Sequence, residues 1–316
     1  MADFRKKLIF AYQRFSYQLL LPLLSRLPFF LAEGITSLRG MFNAMLDLEW
    51  RSIALGKQFV KANTYNAISR IKPEAKPAEL HFKTARRFIR FAREELDAAM
   101  FLHRNLKPVF QRSLIQGFEQ WEKALDSGKG LVVLTCHYDC FTMGFTLLAM
   151  KGRKVNLMTS NVVQDPRVSP HVQTFYQQKY QGIENYFNGG KVVHVEDNLR
   201  FFYQALANNE IVFILADLPA SSKNNSPNII APFIDNHYYM APGPFRLALK
   251  TNSHMAAFYC LNQSSGHYQI QCSEVYNPED LDHTVTHLYD FLQQPIQRYP
   301  ERWIASDVFS GYLSDE

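Results

Sequence analysis

The chain has 316 residues and is 47% hydrophobic and 14% aromatic, enough apolar matter for one large core or two and too much for a disordered segment. Its net charge of +5 conceals a gradient: residues 1–90 hold 16 Lys and Arg against 6 Asp and Glu, a net +10, so the rest carries −5. A basic first third asks for an anionic partner, and no recognition helix, RNP or zinc-finger pattern supports nucleic acid in that role.

The N-terminus reads MADFRKKLIFAYQRFSYQLLLPLLSRLPFFLAEGI. No small-residue cleavage site follows a short apolar core, so a cleavable signal is not expected. Arg14 and Arg26 bracket only 11 uncharged residues, and Pro22 and Pro28 interrupt the helix, so a membrane span is not expected either. Apolar residues with cations at intervals (Arg5, Lys6, Lys7, Arg14, Arg26, Arg39) predict a helical segment over residues 1–40 that lies in a membrane interface. A helical hairpin packed on the remainder is the plainer reading, and the two are compatible.

Residues 35–125 read as mainly helical. In RRFIRFAREELDAAMFLHR (86–104), Phe88, Phe91 and Leu102 fall near one face. The basic start of that helix suits phosphates, although a solvated face accounts for any single Arg. From Gly130 the pattern changes. LVVLT (131–135), KVNLM (154–158), KVVHV (191–195), IVFILAD (211–217), HMAAFYC (254–260) and HYQIQC (267–272) read as strands. Helical runs at FTLLAM (145–150) and NLRFFYQALANNE (198–210) separate them. The alternation predicts an α/β fold over residues 41–316, with a central sheet covered by helices on both faces. PASSKNNSPN (219–228) is the clearest loop, and it follows a strand end, where open α/β sheets place ligands. The four cysteines, Cys136, Cys140, Cys260 and Cys272, lack metal-ligand spacing and read as buried thiols. No Gly-rich phosphate loop and no Ser nucleophile elbow is present.

His137 and Asp217 both fall at strand ends, with Asp139 two places after the His. The order of these features resembles the lysophospholipid acyltransferase superfamily, and within it the lipid A late acyltransferases. LPLLSRLPFFLAEG, GLVVLTCHYDCFTMG, NNEIVFILAD, APFIDNHYYMAPGPFRLALKTNSHMAAFYC and RYPERW carry the resemblance, which extends over most of the chain. It implies a mixed central sheet flanked by helices and transfer of an acyl group from a carrier-protein thioester to a lipid A-like glycolipid. It places the enzyme at the cytoplasmic face of the inner membrane, held peripherally or by its N-terminus. The donor is a fatty acyl or a small aminoacyl unit such as glycyl. No cofactor is expected beyond the phosphopantetheine that the acyl or aminoacyl carrier protein brings. That protein's acidic surface suits the basic first third.

The family signature is H-x4-D/E, but the fifth place after His137 holds Thr142. A neutral His suits the base that takes the acceptor's hydroxyl proton, and its second ring nitrogen wants an acid or a carbonyl. Asp139 is the leading candidate for that partner, Asp217 approaching from a neighbouring strand is the second, and a carbonyl or Thr142 is the third. Arg246 and Lys250, at i and i+4 in GPFRLALK, are candidates to hold phosphate, as is Lys179, which falls where the family carries a basic residue. Asn224 and Asn225 are candidates to shape the acceptor pocket. Two rival functions stand beside transfer: a non-catalytic lipid-binding relative with a decayed dyad, and an esterase that activates water with the same His.

Overall fold

The structure is a computed structural model that describes residues 2–217 and 229–312. Nine strands are present among the described residues: β1 (Leu114–Gln116), β2 (Leu131–Thr135), β3 (Val155–Thr159), β4 (Val192–His194), β5 (Ile211–Leu215), β6 (Ile229–Phe233), β7 (Asn236–Met240), β8 (His254–Asn262) and β9 (Tyr268–Cys272). Seven of them form one mixed sheet in the order β1-β9-β8-β2-β5-β3-β4, and β6 and β7 pair separately as an antiparallel hairpin. Strands β8, β2, β5, β3 and β4 run parallel, and β9 turns back antiparallel to β8. The fold is the expected α/β arrangement. Three strands were not foreseen, and each has a local reason. β1 is three residues long, and β6 carries Pro232 with the charged Asp235 in the turn to β7, which together mask the alternating pattern.

The central strands are apolar throughout because both faces are covered. All five residues of β2 are buried. Leu131 and Val133 point into one core with Phe145, Phe213 and Phe258. Val132 and Leu134 point into the other with Phe202, Phe245 and Tyr289. The first core lies under the Pro77–His103, Phe118–Leu125, Phe141–Ala149 and Pro170–Glu184 helices, and the second under Val195–Ala207, Gly243–Thr251 and Leu281–Arg298. Phe88 and Phe91 are buried as expected, but Leu102, near the end of the long helix, has run past the core and is 40% exposed. All four cysteines are free and buried.

Helix Phe29–Leu46 packs on the Pro77–His103 helix, while Ala2–Arg14, joined to it through short helical segments, touches the Pro170–Glu184 helix. The approach is close: a Cβ at Gly40 would sit 2.6 Å from the Ile89 Cα, so only glycine fits. A buried polar cluster secures the contact. Arg39 bonds Glu95 at 2.5 Å and Ser16 at 2.6 Å, and the Tyr17 hydroxyl donates to Glu95 at 2.6 Å.

Candidate active site

Strands β2 and β5 are parallel neighbours, with Thr135 opposite Leu215. His137 and Asp217 each lie two residues beyond that pair, so the register sets them side by side at the sheet's C-terminal edge. The Asp217 Oδ1 lies 2.8 Å from the His137 Nδ1, and its Oδ2 accepts from the His137 backbone N–H at 2.8 Å and from the Trp303 indole N–H at 2.7 Å. Asp217 is fully buried, while the imidazole is 24% exposed. A carboxylate only accepts, so Nδ1 carries the proton and the lone pair of Nε2 is left for chemistry.

The pairing expected of Asp139 is therefore made by Asp217, the second candidate. Asp139 is held in a different direction for two reasons. Its backbone is in the left-handed region (φ 48°), which a short polar residue tolerates, and its N–H donates to the Arg302 carbonyl at 2.7 Å. Its carboxylate accepts from the Asn262 N–H at 3.0 Å, bonds Arg302, and lies 3.6 Å from Arg90. It does not cap the following helix either, since Cys140 occupies that position with no side-chain bond. Thr142, where the family acid would stand, bonds the buried Glu94 instead of His137.

The C-terminal RYPERW stretch carries a residue that sequence reasoning passed over. Trp303 is fully buried and clamps Asp217. Its neighbours clip the His137 turn: Tyr138 and Trp303 form an isolated bridge, and the Ile304 N–H donates to the His137 carbonyl at 2.9 Å. The Ile304 carbonyl in turn accepts from the buried Arg87, which also bonds Glu49. A buried indole needs a partner for its N–H, and an acid at the end of a central strand needs donors. That mutual need was the available signal.

A cavity of about 340 Å³ opens beside His137. Its wall is mainly apolar, with Phe91, Phe141, Phe145, Leu157, Ile183 and Leu215. The Phe141 ring stands edge-on to the imidazole at 5.2 Å between centroids. Lys179 also lines it, but not as a free cation: it is buried, 2.5 Å from Glu94, and 5.3 Å from the centre of the Phe141 ring. Arg246 and Lys250 do not reach the cavity. Their helix ends near Asn252, whose side chain accepts from Lys129, and the chain then enters β8 opposite Leu131, at the N-terminal end of β2. Lys250 is thus carried to the edge of the sheet opposite His137. Asn224 and Asn225 lie outside the described residues.

The helix Phe29–Leu46 has an inverted pattern. Its polar residues Glu33, Thr36, Arg39 and Asn43 are buried. Leu31, Ile35, Leu38, Phe42 and Met45, at alternating spacings of four and three, are exposed, as are Leu8, Phe15 and Leu19 of the preceding segment. An apolar stripe of this extent facing outward is unusual for a protein surface in water. Among the described residues, no helix is long and apolar enough to cross a membrane.

Across residues 10–305 the chain matches the family model described as bacterial lipid A biosynthesis acyltransferase. No curated protein matches it. With a family match over nearly the whole length and a His–Asp pair whose His lines an apolar cavity, the chain belongs to the bacterial lipid A biosynthesis acyltransferase family.

Proposed function

We propose that this enzyme moves a fatty acyl group from a carrier-protein thioester to a hydroxyl of a lipid A-like glycolipid, with His137 as general base and Asp217 as its orienting acid. The observation that carries the reading is the 2.8 Å contact between Asp217 and the Nδ1 of His137, which lines the cavity. The acceptor hydroxyl approaches Nε2 and gives up its proton as its oxygen attacks the thioester carbon. Asp217 stabilises the imidazolium that forms. The carbonyl oxygen gains charge in that step, and main-chain N–H groups in the first turn of the Phe141–Ala149 helix are suited to receive it. Collapse of the tetrahedral intermediate breaks the C–S bond, and the thiolate of the carrier's phosphopantetheine leaves with the proton from His137. The reaction is acyl exchange and proton transfer, and the reading assigns the phosphopantetheine to the donor.

The apolar wall favours an aliphatic chain over a glycyl unit. Glu94 supports the aminoacyl reading, since a carboxylate in the wall suits an ammonium group, but Lys179 already neutralises it at 2.5 Å. The retained His137–Asp217 pair argues against a decayed, non-catalytic relative. The outward apolar stripe of the Phe29–Leu46 helix and the basic first third support in-plane attachment of residues 1–40 to an anionic leaflet, where the acceptor resides.

The test is to incubate the purified protein with lipid A and with carrier protein loaded with fatty acyl chains or with glycine, and to weigh the products. A mass gain equal to one fatty acyl chain is expected. A glycyl gain would replace the donor, free fatty acid alone would mean hydrolysis, and no product from any donor would overturn the reading.

A further inference from the structure

Beside the catalytic turn lies a second group of charged residues that the transfer chemistry does not use. Arg86, Arg90 and Arg93 follow one another at i, i+4 and i+7 along one face of the Pro77–His103 helix. Arg302 joins them from the C-terminal segment through Asp139, whose carboxylate it shares with Arg90. Arg90 is only 8% exposed, yet its Nη1 has no hydrogen bond and stands 3.6 Å from the carboxylate. The Nε of Arg93 is likewise buried without a partner. Among the described residues, two carboxylates pair with three of these guanidinium groups, and the Arg93 Nη2 donates to the Ser37 hydroxyl at 3.3 Å. Asp139 is one, and Glu301, 3.9 Å from Arg86, is the other, itself shared with Lys83 at 3.3 Å.

A buried guanidinium with an unused donor, among like charges, is an unsatisfied arrangement. Burial, and then the charges of Arg302, Arg93 and Arg86, hold the Arg90 guanidinium below its ordinary range against the pull of Asp139. A tetrahedral phosphate anion answers both deficits, because it supplies acceptor oxygens in several directions and offsets the excess charge. Arg302 and Asp139 tie this cluster to the turn that carries His137, because the Asp139 N–H donates to the Arg302 carbonyl at 2.7 Å.

We propose that Arg86, Arg90, Arg93 and Arg302 form a phosphate-binding site beside the His137 turn, with Asp139 spacing the guanidinium groups. The inference rests on the proposed transfer only for what carries the phosphate: a phosphate of the glycolipid acceptor or the phosphodiester of the donor's pantetheine arm. The fork geometry, not charge alone, does the holding, which separates this site from a diffuse basic surface.

The experiment begins with inorganic phosphate and thermal unfolding, with sodium chloride matched for ionic strength. The wild-type midpoint should rise with the logarithm of phosphate concentration above its Kd and not with chloride. In Arg86→Ala and Arg90→Lys the apparent Kd for phosphate should rise about tenfold or more, since each loses a charged hydrogen bond. Arg90→Lys keeps the charge and tests the fork, and Arg86→Ala removes a side chain that is 39% exposed. Phosphate acting no better than chloride, or variants that bind it like wild type, would overturn the site whether or not the protein transfers acyl groups. Steady-state kinetics then find the source. A roughly tenfold higher KM for phosphorylated lipid A, absent with the dephosphorylated lipid, identifies the acceptor. A higher KM for the carrier thioester identifies the pantetheine arm, and an unchanged KM for both would refute the site as a substrate contact. Phosphate binding in a protein that transfers nothing would leave the site standing and remove the transfer reading.

Discussion

Replacing Asp217 by Asn tests the assignment of the dyad most directly. The two residues have nearly the same shape, but their donors and acceptors differ. Two N–H groups, from His137 and Trp303, converge on Oδ2, so the amide oxygen of Asn must take that position. The amide NH2 then faces the imidazole at the site of the present 2.8 Å contact. An N–H cannot meet an N–H, so the ring adopts the other tautomer, with Nδ1 accepting and Nε2 carrying the proton. The nitrogen that faces the acceptor is then no longer a base, and the charge that stabilises imidazolium is gone. In a Ser-His-Asp enzyme the same change lowers kcat about 10⁴-fold, and a loss of about 10³- to 10⁴-fold, roughly 4–5 kcal/mol in the barrier, is expected here. The assay is single-turnover acyl transfer to lipid A, with circular dichroism and the unfolding midpoint as controls. A change in rate of less than tenfold in a folded Asp217→Asn protein would refute the dyad. The conclusion would be firmer still if Asp139→Asn abolished transfer while leaving the midpoint unchanged.

His137→Ala should abolish transfer with little effect on the unfolding midpoint, because the ring is partly exposed and lies at a cavity edge; a rate within tenfold of wild type would exclude it as the base. Gly40→Leu should destabilise by about 1–3 kcal/mol or more in urea titration, since even a Cβ meets the Ile89 backbone. Leu38→Glu with Met45→Glu should weaken binding to anionic vesicles at least tenfold in co-sedimentation while catalysis on detergent-dispersed acceptor persists, because both side chains lie in the exposed stripe. Burial holds the Asp97 carboxyl well above its ordinary range, against the Tyr268 hydroxyl that bonds it, so the folded state binds that proton more tightly than the unfolded state. Its contribution is present at acid pH and is lost as pH rises through the folded value, and Asp97→Asn should therefore gain on wild type as pH rises in thermal scans and show no advantage below the ordinary carboxylate range.

The sheet was legible in the linear pattern because its central strands are covered on both faces. A run such as Leu131–Thr135 has to be continuously apolar, and Val155–Thr159, Ile211–Leu215 and Tyr268–Cys272 begin within one residue of the expected starts. Short or edge elements such as β1 and the β6–β7 hairpin carry no such constraint, so composition does not announce them. His137 and Asp217 could be named from strand ends alone. Choosing between Asp139 and Asp217 could not be done along the chain, because two residues of separation says nothing about direction. The left-handed turn at Asp139, and its bonds to Arg302 and Asn262, send that side chain away from the ring.

Local patterning, then, established the α/β class, the apolar cationic N-terminus and the two strand-end residues, since each follows from side chains a few positions apart. Folding joined residues 80 and more apart: Asp217 to His137 through the register of two parallel strands, Trp303 to Asp217, and Arg302 to Arg90 through one carboxylate. Those contacts pair buried donors with buried acceptors, and only the packed chain brings them within hydrogen-bonding distance.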